Sequence, residues 1–213
     1  KFAKNLPTIT SSGSCVSFID FDADGDFDIF RGGRTIPDKY PFPPRSYFLK
    51  NNGKGVFEDV SNIVAKEIMQ LGMITSTCVT DLNGDKIPEL VLAGEWMPIK
   101  IFEIKNGVFV ESALSQQLKN TEGWWYSLSN ADLDGDGDQD LLCGNLGENY
   151  KFHASVEKPF QVYGNDFDHN GSIDIVLAKY NGSNLVPVRG KQCSGEQMPF
   201  INVKFPSYNA FAD

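Results

Sequence analysis

Four short acidic segments contain the residues of this chain that are best suited to chemistry. They begin at Asp20, Asp81, Asp132 and Asp166 and read DFDADGDFD, DLNGDKIPE, DLDGDGDQD and DFDHNGSID. In every segment, positions 1, 3, 5 and 9 hold Asp, Asn or Glu. Alternate side chains of a tight turn converge on one point, and carboxylate and amide oxygens are the ligands that Ca²⁺ prefers. The spacing therefore predicts four calcium loops, at residues 20–28, 81–89, 132–140 and 166–174.

The side chains at these four positions are the predicted metal ligands. They are Asp20, Asp22, Asp24 and Asp28; Asp81, Asn83, Asp85 and Glu89; Asp132, Asp134, Asp136 and Asp140; and Asp166, Asp168, Asn170 and Asp174. Position 6 is glycine in three loops, where the chain must turn sharply without a Cβ in the way, and Lys86 in the second. The second loop is thus the one least suited to the turn.

These loops are not EF-hands. An EF-hand needs a bidentate Glu at position 12 and flanking helices, but position 12 is Arg31, Leu92, Cys143 or Leu177. Each ninth residue instead opens an apolar, β-prone segment such as DIFRGG or ELVLAG, and segments such as SCVSFI, STCVT and FQVYGN precede the loops. The repeated unit is therefore predicted to be a β-hairpin clamped by calcium.

Composition favours a globular protein whose acidity belongs to metal sites. The chain has 213 residues, 41% of them hydrophobic, and a formal net charge of −9. The predicted ligand positions hold 14 of the 28 acidic residues, so four bound Ca²⁺ would bring the charge to about −1. Nucleic-acid binding needs a basic footprint that is missing. The sequence also lacks an 18-residue apolar run, so no membrane-spanning segment is predicted.

The loop spacing predicts an all-β chain built from blades. Successive loops begin 61, 51 and 34 residues apart, and periods near 50 to 60 with several short strands are typical of a β-propeller. The first interval supplies strand candidates at 27–31, 47–51, 56–60 and 74–80, and the second repeats the plan around a KNG turn. The third interval is too short for a full blade. The third blade is therefore predicted to be two-stranded or to be completed from elsewhere in the chain.

The predicted repeats occupy residues 1–190, and residues 191–213 form a different C-terminal tail. This tail alternates Pro, aromatic and small residues, which predicts short helical turns or an extended segment. It supplies no obvious closing strand, although a propeller needs closure to cover its unpaired edge and apolar face. We therefore expect a truncated fragment of a larger protein, or an assembly that closes between chains.

The acidic hairpins resemble FG-GAP repeats, also described as VCBS repeats, which are the calcium-loop blades of integrin α-chain propellers. The segments GEWMPIKIFE, NTEGWWYSL, GNLGENYKF and KPFQVYGNDFDHNGSIDIVL resemble those of Bacteroidetes surface proteins that often carry an ASPIC/UnbV domain. The resemblance runs from Asp20 to about Phe211. It implies a seven-bladed propeller in the complete protein, to which this chain contributes about four blade-like repeats. Lys86, Pro88 and Glu89 depart from the family pattern in the second loop.

The resemblance also implies a further ligand in every loop. It is the backbone carbonyl at position 7, which belongs to Asp26, Ile87, Asp138 or Ser172.

Aromatic residues and cysteines leave alternatives open. Trp96, Trp124, Trp125 and Tyr126 could form a platform for sugar rings or pack between blades, and only one of the paired tryptophans can face inward on a strand. The four cysteines, Cys15, Cys78, Cys143 and Cys193, could pair in an exported protein or remain free thiols.

The leading functional hypothesis is a non-catalytic calcium-binding scaffold for extracellular recognition or adhesion. No GxSxG, Walker, HExxH or GxGxxG motif is present, and carboxylates held on Ca²⁺ are poor acids. The expected partners are an extracellular protein or glycan ligand, or the remaining blades of the parent protein. Millimolar extracellular calcium suits such sites and favours a secreted, cell-surface or periplasmic location. The alternative is a polysaccharide lyase on a calcium-bearing propeller, with Lys100, Tyr126 or Lys151 as the base.

Overall fold

The structure is a computed structural model that describes residues 5–212. These residues confirm the all-β fold class. The strands are β1 (Gly13–Ile19), β2 (Asp28–Gly33), β3 (Tyr47–Asn51), β4 (Phe57–Asp59), β5 (Met73–Thr80), β6 (Glu89–Met97), β7 (Lys100–Lys105), β8 (Val108–Glu111), β9 (Gly123–Ala131), β10 (Asp140–Asn145), β11 (Gln161–Asn165), β12 (Asp174–Asn181) and β13 (Asn184–Pro187). The helices are α1 (Ser61–Val64), a 3₁₀ helix at Ala113–Leu118, α2 (Lys191–Gln197), α3 (Phe200–Lys204) and α4 (Tyr208–Ala212).

The first sheet is a four-stranded antiparallel meander in the order β1-β2-β3-β4. Its outer hairpin turns at the NNGKG segment, where Asn51 Oδ1 accepts hydrogen bonds from the N–H groups of Gly53 (3.2 Å) and Gly55 (3.1 Å). Gly53 and Gly55 have positive φ, which glycine adopts without steric cost. This turn sets the β3–β4 register, and the pairing of β2 with β3 places the end of β3 beside the first acidic loop.

The second sheet repeats the meander with β5, β6, β7 and β8. Asn106 (φ 53°) and Gly107 (φ 72°) make the tight β7–β8 turn, because a two-residue hairpin turn of this type needs positive φ at both positions. The third loop connects a two-stranded antiparallel pair, β9–β10. This pair joins the second sheet where Glu95 and Met97 of β6 pair with Trp124 and Gly123 of β9.

Strand β6 is buried on both faces and separates two apolar clusters. Leu90 and Leu92 pack in a cluster with Phe30 and Phe48 of the first sheet. Val91 lies in the other cluster, with Trp125 packed against it from β9. Because successive side chains of a strand point to opposite faces, one strand supplies both clusters. The first sheet and the β9–β10 pair therefore pack on opposite faces of the second sheet.

Strands β1, β5 and β9 lie side by side and run in the same direction. Ser14 Oγ donates to Ile74 O (2.5 Å), and Ser17 Oγ lies 3.4 Å from Thr77 Oγ1, three residues further along both strands. On the other side of β5, Thr75 Oγ1 donates to Trp125 O (2.5 Å), and Asn130 Nδ2 donates to Thr80 Oγ1 (3.1 Å), five residues further along both strands. The three acidic loops that follow these strands therefore lie at the same end of the sheets.

The chain divides into two compact units. The first comprises the described residues up to 36 together with Pro43–Gly147; the second comprises Pro37–Phe42 and residues 148–212. The second unit contains the antiparallel sheet β11-β12-β13 and helices α2 to α4. Gln197 at the end of α2 donates from Nε2 to Asp174 Oδ1 (3.3 Å), which links the helical tail to the fourth loop.

No helix in residues 5–212 combines the length and the apolar character needed to cross a membrane.

Candidate metal sites

Each of the four acidic segments connects two consecutive strands that pair antiparallel. They join β1 to β2, β5 to β6, β9 to β10 and β11 to β12. The predicted strand–loop–strand hairpin is thus present four times.

The same three backbone-to-side-chain hydrogen bonds recur in every loop. The side chain at position 9 accepts the N–H of position 2, at 2.7 to 3.4 Å. The carboxylate at position 1 accepts the N–H of position 6, at 2.9 to 3.1 Å. The side chain at position 5 accepts the N–H of position 7, at 2.8 to 3.1 Å. These bonds fix the acidic side chains on the inside of the turn.

Two positions of each loop adopt left-handed backbone. Position 6 has positive φ in all four loops, including Lys86 (φ 71°), where the others have glycine. Position 4 does so as well, at Ala23 (φ 57°), Gly84 (φ 77°), Gly135 (φ 79°) and His169 (φ 60°). The glycine pattern predicted the first requirement. The left-handed backbone at position 4 has no such signal in the sequence, because this position holds three different residue types.

Three loops bring carboxylates together closely enough to share an ion. The triplets, each with one oxygen per residue and all three within 4.8 Å of one another, are Asp20, Asp22 and Asp28; Asp132, Asp134 and Asp136; and Asp166, Asp168 and Asp174. Asp24 and Asp140 lie in the same loops but outside these triplets. The position 7 residues donate their N–H groups within the loops, and their carbonyls remain predicted ligands.

The ninth residue is buried in three of the four loops. Asp28 and Glu89 are each 1% exposed and Asp174 is 4% exposed. Burial raises the pKa of Asp28 above its usual value, and the charges of Asp22 and Asp24 raise it further. Burial likewise raises the pKa of Glu89. A cation beside these groups would stabilise their ionised forms.

Within residues 5–212, the first loop has a buried carboxylate oxygen without a hydrogen bond, and a lysine of β3 contacts the loop. Asp22 Oδ1 is buried and accepts no hydrogen bond from the described residues. The other oxygen, Oδ2, pairs with Lys50 Nζ, which also lies 3.9 Å from Asp24 Oδ2. The hydrogen bond to Asp22 raises the pKa of Lys50 above its usual value. Sequence reasoning missed Lys50, because only the strand register brings residue 50 to this loop.

The second loop is crosslinked by an amide. Asn83 Nδ2 donates to Glu89 Oε1 (2.7 Å) and to Asp85 Oδ2 (3.2 Å). The amide thus occupies the position between two predicted ligands. This arrangement agrees with the departures at Lys86, Pro88 and Glu89 that set the second loop apart in the sequence.

The third loop has the densest charge. It carries aspartates at positions 1, 3, 5, 7 and 9, all in an exposed or half-buried setting. The backbone N–H of Asp138 lowers the pKa of Asp136. The side-chain hydrogen bond to Asp136, and then the charge of Asp136, raise the pKa of Asp138. Crowding of this kind is relieved when a divalent cation binds.

The donor set of these loops fits a hard divalent cation. The triplets contain only carboxylates, without His or Cys, and oxygen-only donors select calcium or magnesium over softer metals. In the first triplet, Asp22 Oδ1 is buried and accepts no hydrogen bond from the described residues, so it is available to a cation.

The aromatic residues considered for sugar binding lie against the second apolar cluster or at a bulge of β6. Trp125 packs against the second apolar cluster and donates from Nε1 to Thr121 O (2.7 Å). Trp124 packs edge-on against Trp96, with ring centroids 5.1 Å apart. Trp96 has a φ of 62° within a bulge of β6, an unusual conformation for a bulky residue. Both paired tryptophans are therefore half-buried packing residues in this unit.

The three residues proposed as a lyase base have separate surroundings. Lys100 Nζ pairs with Glu111 Oε1 (2.7 Å) on the neighbouring strand. Tyr126 donates to Glu95 Oε1 (3.1 Å), which also pairs with Arg34. Lys151, in the second unit, lies over the ring of Phe152.

All four cysteines are free thiols. Cys78 is buried, Cys15 and Cys143 are half-buried, and Cys193 is exposed. Burial raises the pKa of the Cys15, Cys78 and Cys143 thiols.

The hairpins and their loops define a repeat class of all-β protein. Residues 81–143 match a family model described as FG-GAP-like repeat. This segment begins at the first residue of the second loop and includes the whole third loop and strands β6 to β9. The match supports the resemblance of the chain to FG-GAP repeats. No curated protein shows detectable similarity to the chain.

Proposed function

We propose that this chain is a calcium-binding segment of a β-propeller that acts as a non-catalytic recognition or adhesion scaffold outside the cell. Each sheet would be one blade or part of one, and the complete protein would add blades to reach seven. The parent would be an exported surface protein of the kind that carries ASPIC/UnbV domains, with a protein or glycan ligand.

One observation carries the calcium assignment: the identical set of three hydrogen bonds in four loops that otherwise differ in sequence. These bonds hold the carboxylates inward, which lowers the ordering cost of binding an ion. Calcium, when bound, would neutralise carboxylates that crowd and repel one another. The side chains at positions 1, 3, 5 and 9 would hold the ion, and position 9 would connect it to the second strand of the hairpin.

The hydrogen bonds that the loop carboxylates accept support the non-catalytic assignment. In every loop the carboxylates at positions 1 and 9 already accept backbone N–H groups, as described above. Ionised groups held this way are poor general acids. Lys100 and Tyr126 are each paired with a glutamate, which leaves neither poised as a free base.

Thermal unfolding in calcium and in EDTA tests this function. Binding to the folded state alone stabilises by about 2.7 kcal/mol per site at a ligand concentration 100 times Kd. For a chain of this size each kcal/mol raises Tm by about 2–4 °C. We therefore expect excess EDTA to lower Tm by about 5–11 °C for each site that it empties, and calcium to restore it.

A charge-matched pair of variants makes the test specific. Asp22→Asn, Asp134→Asn and Asp168→Asn together remove three ligand charges while retaining the residue type that the second loop has at position 3. This variant should lose most of the calcium-induced rise in Tm. The control variant combines Asp38→Asn, Glu58→Gln and Glu122→Gln, three exposed residues outside the loops. An equal calcium response in both variants would refute calcium binding by the loops.

A further inference from the structure

The end of strand β3 contacts three of the four side-chain ligand positions of the first loop. Lys50 Nζ pairs with Asp22 at position 3 and lies 3.9 Å from Asp24 at position 5. The N–H of the next residue, Asn51, donates to Asp28 Oδ1 (2.7 Å) at position 9. A protein cation is thus built into the carboxylate cluster from a neighbouring strand.

The strand register shows that this lysine is particular to the first loop. Leu49 pairs with Ile29, the residue after position 9, and Phe102 pairs with Leu90, the corresponding residue of the second sheet. Glu103 therefore occupies the place of Lys50 in the second sheet, and it pairs with Lys105 at 3.0 Å. Within residues 5–212, the third and fourth loops make no ion pair with Lys or Arg.

We propose that Lys50 is an internal counterion that sets the divalent-cation affinity of the first loop below that of the third and fourth. An entering ion needs the oxygens of Asp22, one of which holds the Lys50 ammonium. The ammonium must move away or remain as a like charge near the ion, and both cost free energy. The same ammonium partly neutralises the aspartates when no metal is bound. This inference rests on the proposed calcium binding.

Lys50→Met removes the ammonium charge and keeps much of the apolar stem. The variant therefore tests both the competition of Lys50 with an entering ion and its neutralisation of the aspartates when no metal is bound. An ammonium beside the bound ion opposes binding, and the repulsion is stronger where water is partly excluded. We therefore expect the calcium affinity of the first loop to rise about tenfold. In EDTA the variant should melt at a lower temperature than the wild type, and saturating calcium should abolish or reverse that difference.

The chain contains its own site-resolved probes. Gly25, Gly84, Gly137 and Gly171 each donate their N–H to the position 1 carboxylate of one loop, at 2.8 to 3.1 Å. A calcium titration of the intact chain with ¹⁵N-labelled glycine therefore follows each loop separately. In the wild type, Gly25 should shift at a higher calcium concentration than Gly137 and Gly171.

A control variant and the remaining outcomes decide the inference. Lys54→Met removes a charge from the exposed tip of the same hairpin and should leave all midpoints within about twofold, since exposed charges are screened. The Lys50 inference is overturned if Gly137 and Gly171 respond to calcium while the Gly25 midpoint is the same in the wild type and in Lys50→Met. If none of the glycine signals responds, the proposed calcium binding itself fails.

The wild type alone also decides the question if Lys50→Met does not fold. A Gly25 midpoint at or below those of Gly137 and Gly171 would contradict the inference. A midpoint clearly above both would support it.

Discussion

Lys86 carries the backbone strain that the glycine pattern of the loops predicts at position 6. Lys86 adopts a φ of 71° where three sister loops have glycine. For a residue with a Cβ, left-handed backbone costs about 1–2 kcal/mol. Part of that cost is offset by the greater freedom of glycine in the unfolded chain.

We therefore expect Lys86→Gly to stabilise the protein by about 0.5–1 kcal/mol in EDTA. Gly84→Ala is the matched control, because Gly84 has a φ of 77° and a Cβ there would meet no atom within 4 Å. It should destabilise by a similar amount through backbone strain alone. Urea unfolding measures both changes. Destabilisation by Lys86→Gly would show that the lysine side chain contributes more than its backbone strain costs.

Tyr126 provides a test that depends on pH. Its hydroxyl donates to the buried Glu95. Burial, followed by the charge of Glu95, raises the pKa of Tyr126 above its ordinary value. The folded chain thus holds the phenolic proton more tightly than the unfolded chain, so this stabilisation is complete below pH about 10 and is lost as the pH rises further.

Tyr126→Phe should accordingly cost about 1 kcal/mol near pH 8, the usual net value of a hydrogen bond. The difference from the wild type should shrink above about pH 10. Chemical denaturation at two pH values measures it. A difference that stays constant across this range would contradict the account.

At the scale of single residues, the sequence predicts the candidate metal ligands better than the side chains that contact them. The spacing of acidic residues identified Asp20, Asp22 and Asp28, which converge in the structure. It could not identify Lys50, whose position depends on the pairing of β2 with β3. It also could not show that Asn83 directs its amide N–H₂ group, not its oxygen, toward Glu89.

At the scale of elements, β6 is the strand on which the first unit depends. It is hydrogen-bonded to β5, β7 and β9 and faces apolar clusters on both sides. Leu92 is 0% exposed. Removing a buried leucine side chain to Cβ costs about 2–5 kcal/mol, because a cavity replaces the lost contacts.

We expect Leu92→Ala to destabilise the protein within that range. Leu142→Ala on β10 is the control, since Leu142 is 63% exposed and exposed substitutions change stability by about 0.5 kcal/mol or less. Thermal or urea unfolding of the two variants tests the assignment. A loss for Leu92→Ala no larger than about 0.5 kcal/mol would show that the cluster around Leu92 does not hold the sheets together.

Strand positions followed from local pattern, whereas irregular features did not. The segment 47–51 was predicted and observed as β3, and the KNG turn lies at the β7–β8 tip. The bulge at Trp96 arises where β6 leaves β7 and pairs with β9, a long-range event without a local signal. The sequence of the C-terminal segment predicts either short helical turns or an extended tail, and the segment forms helices α2 to α4.

At the scale of the whole molecule, the loops are expected to fall into affinity classes. The third and fourth loops combine a carboxylate triplet with the absence of a competing lysine among the described residues. The first has a triplet and Lys50, and the second has Asn83 between its carboxylates.

Isothermal titration with calcium should therefore show two tight sites followed by one weaker site. Asp132→Ala should remove one tight site and leave the weaker one unchanged. Four equivalent sites would contradict this ranking, because they would show that Lys50 and the second-loop departures do not affect binding.

The shared direction of β1, β5 and β9 has a kinetic consequence. It gathers three acidic loops at one end of the first unit, so their negative potential adds up in the solvent outside that end. Such a field speeds the diffusional capture of cations, and the gain declines as ionic strength shortens the Debye length. Association rates of divalent ions at these loops should thus fall steeply with added salt.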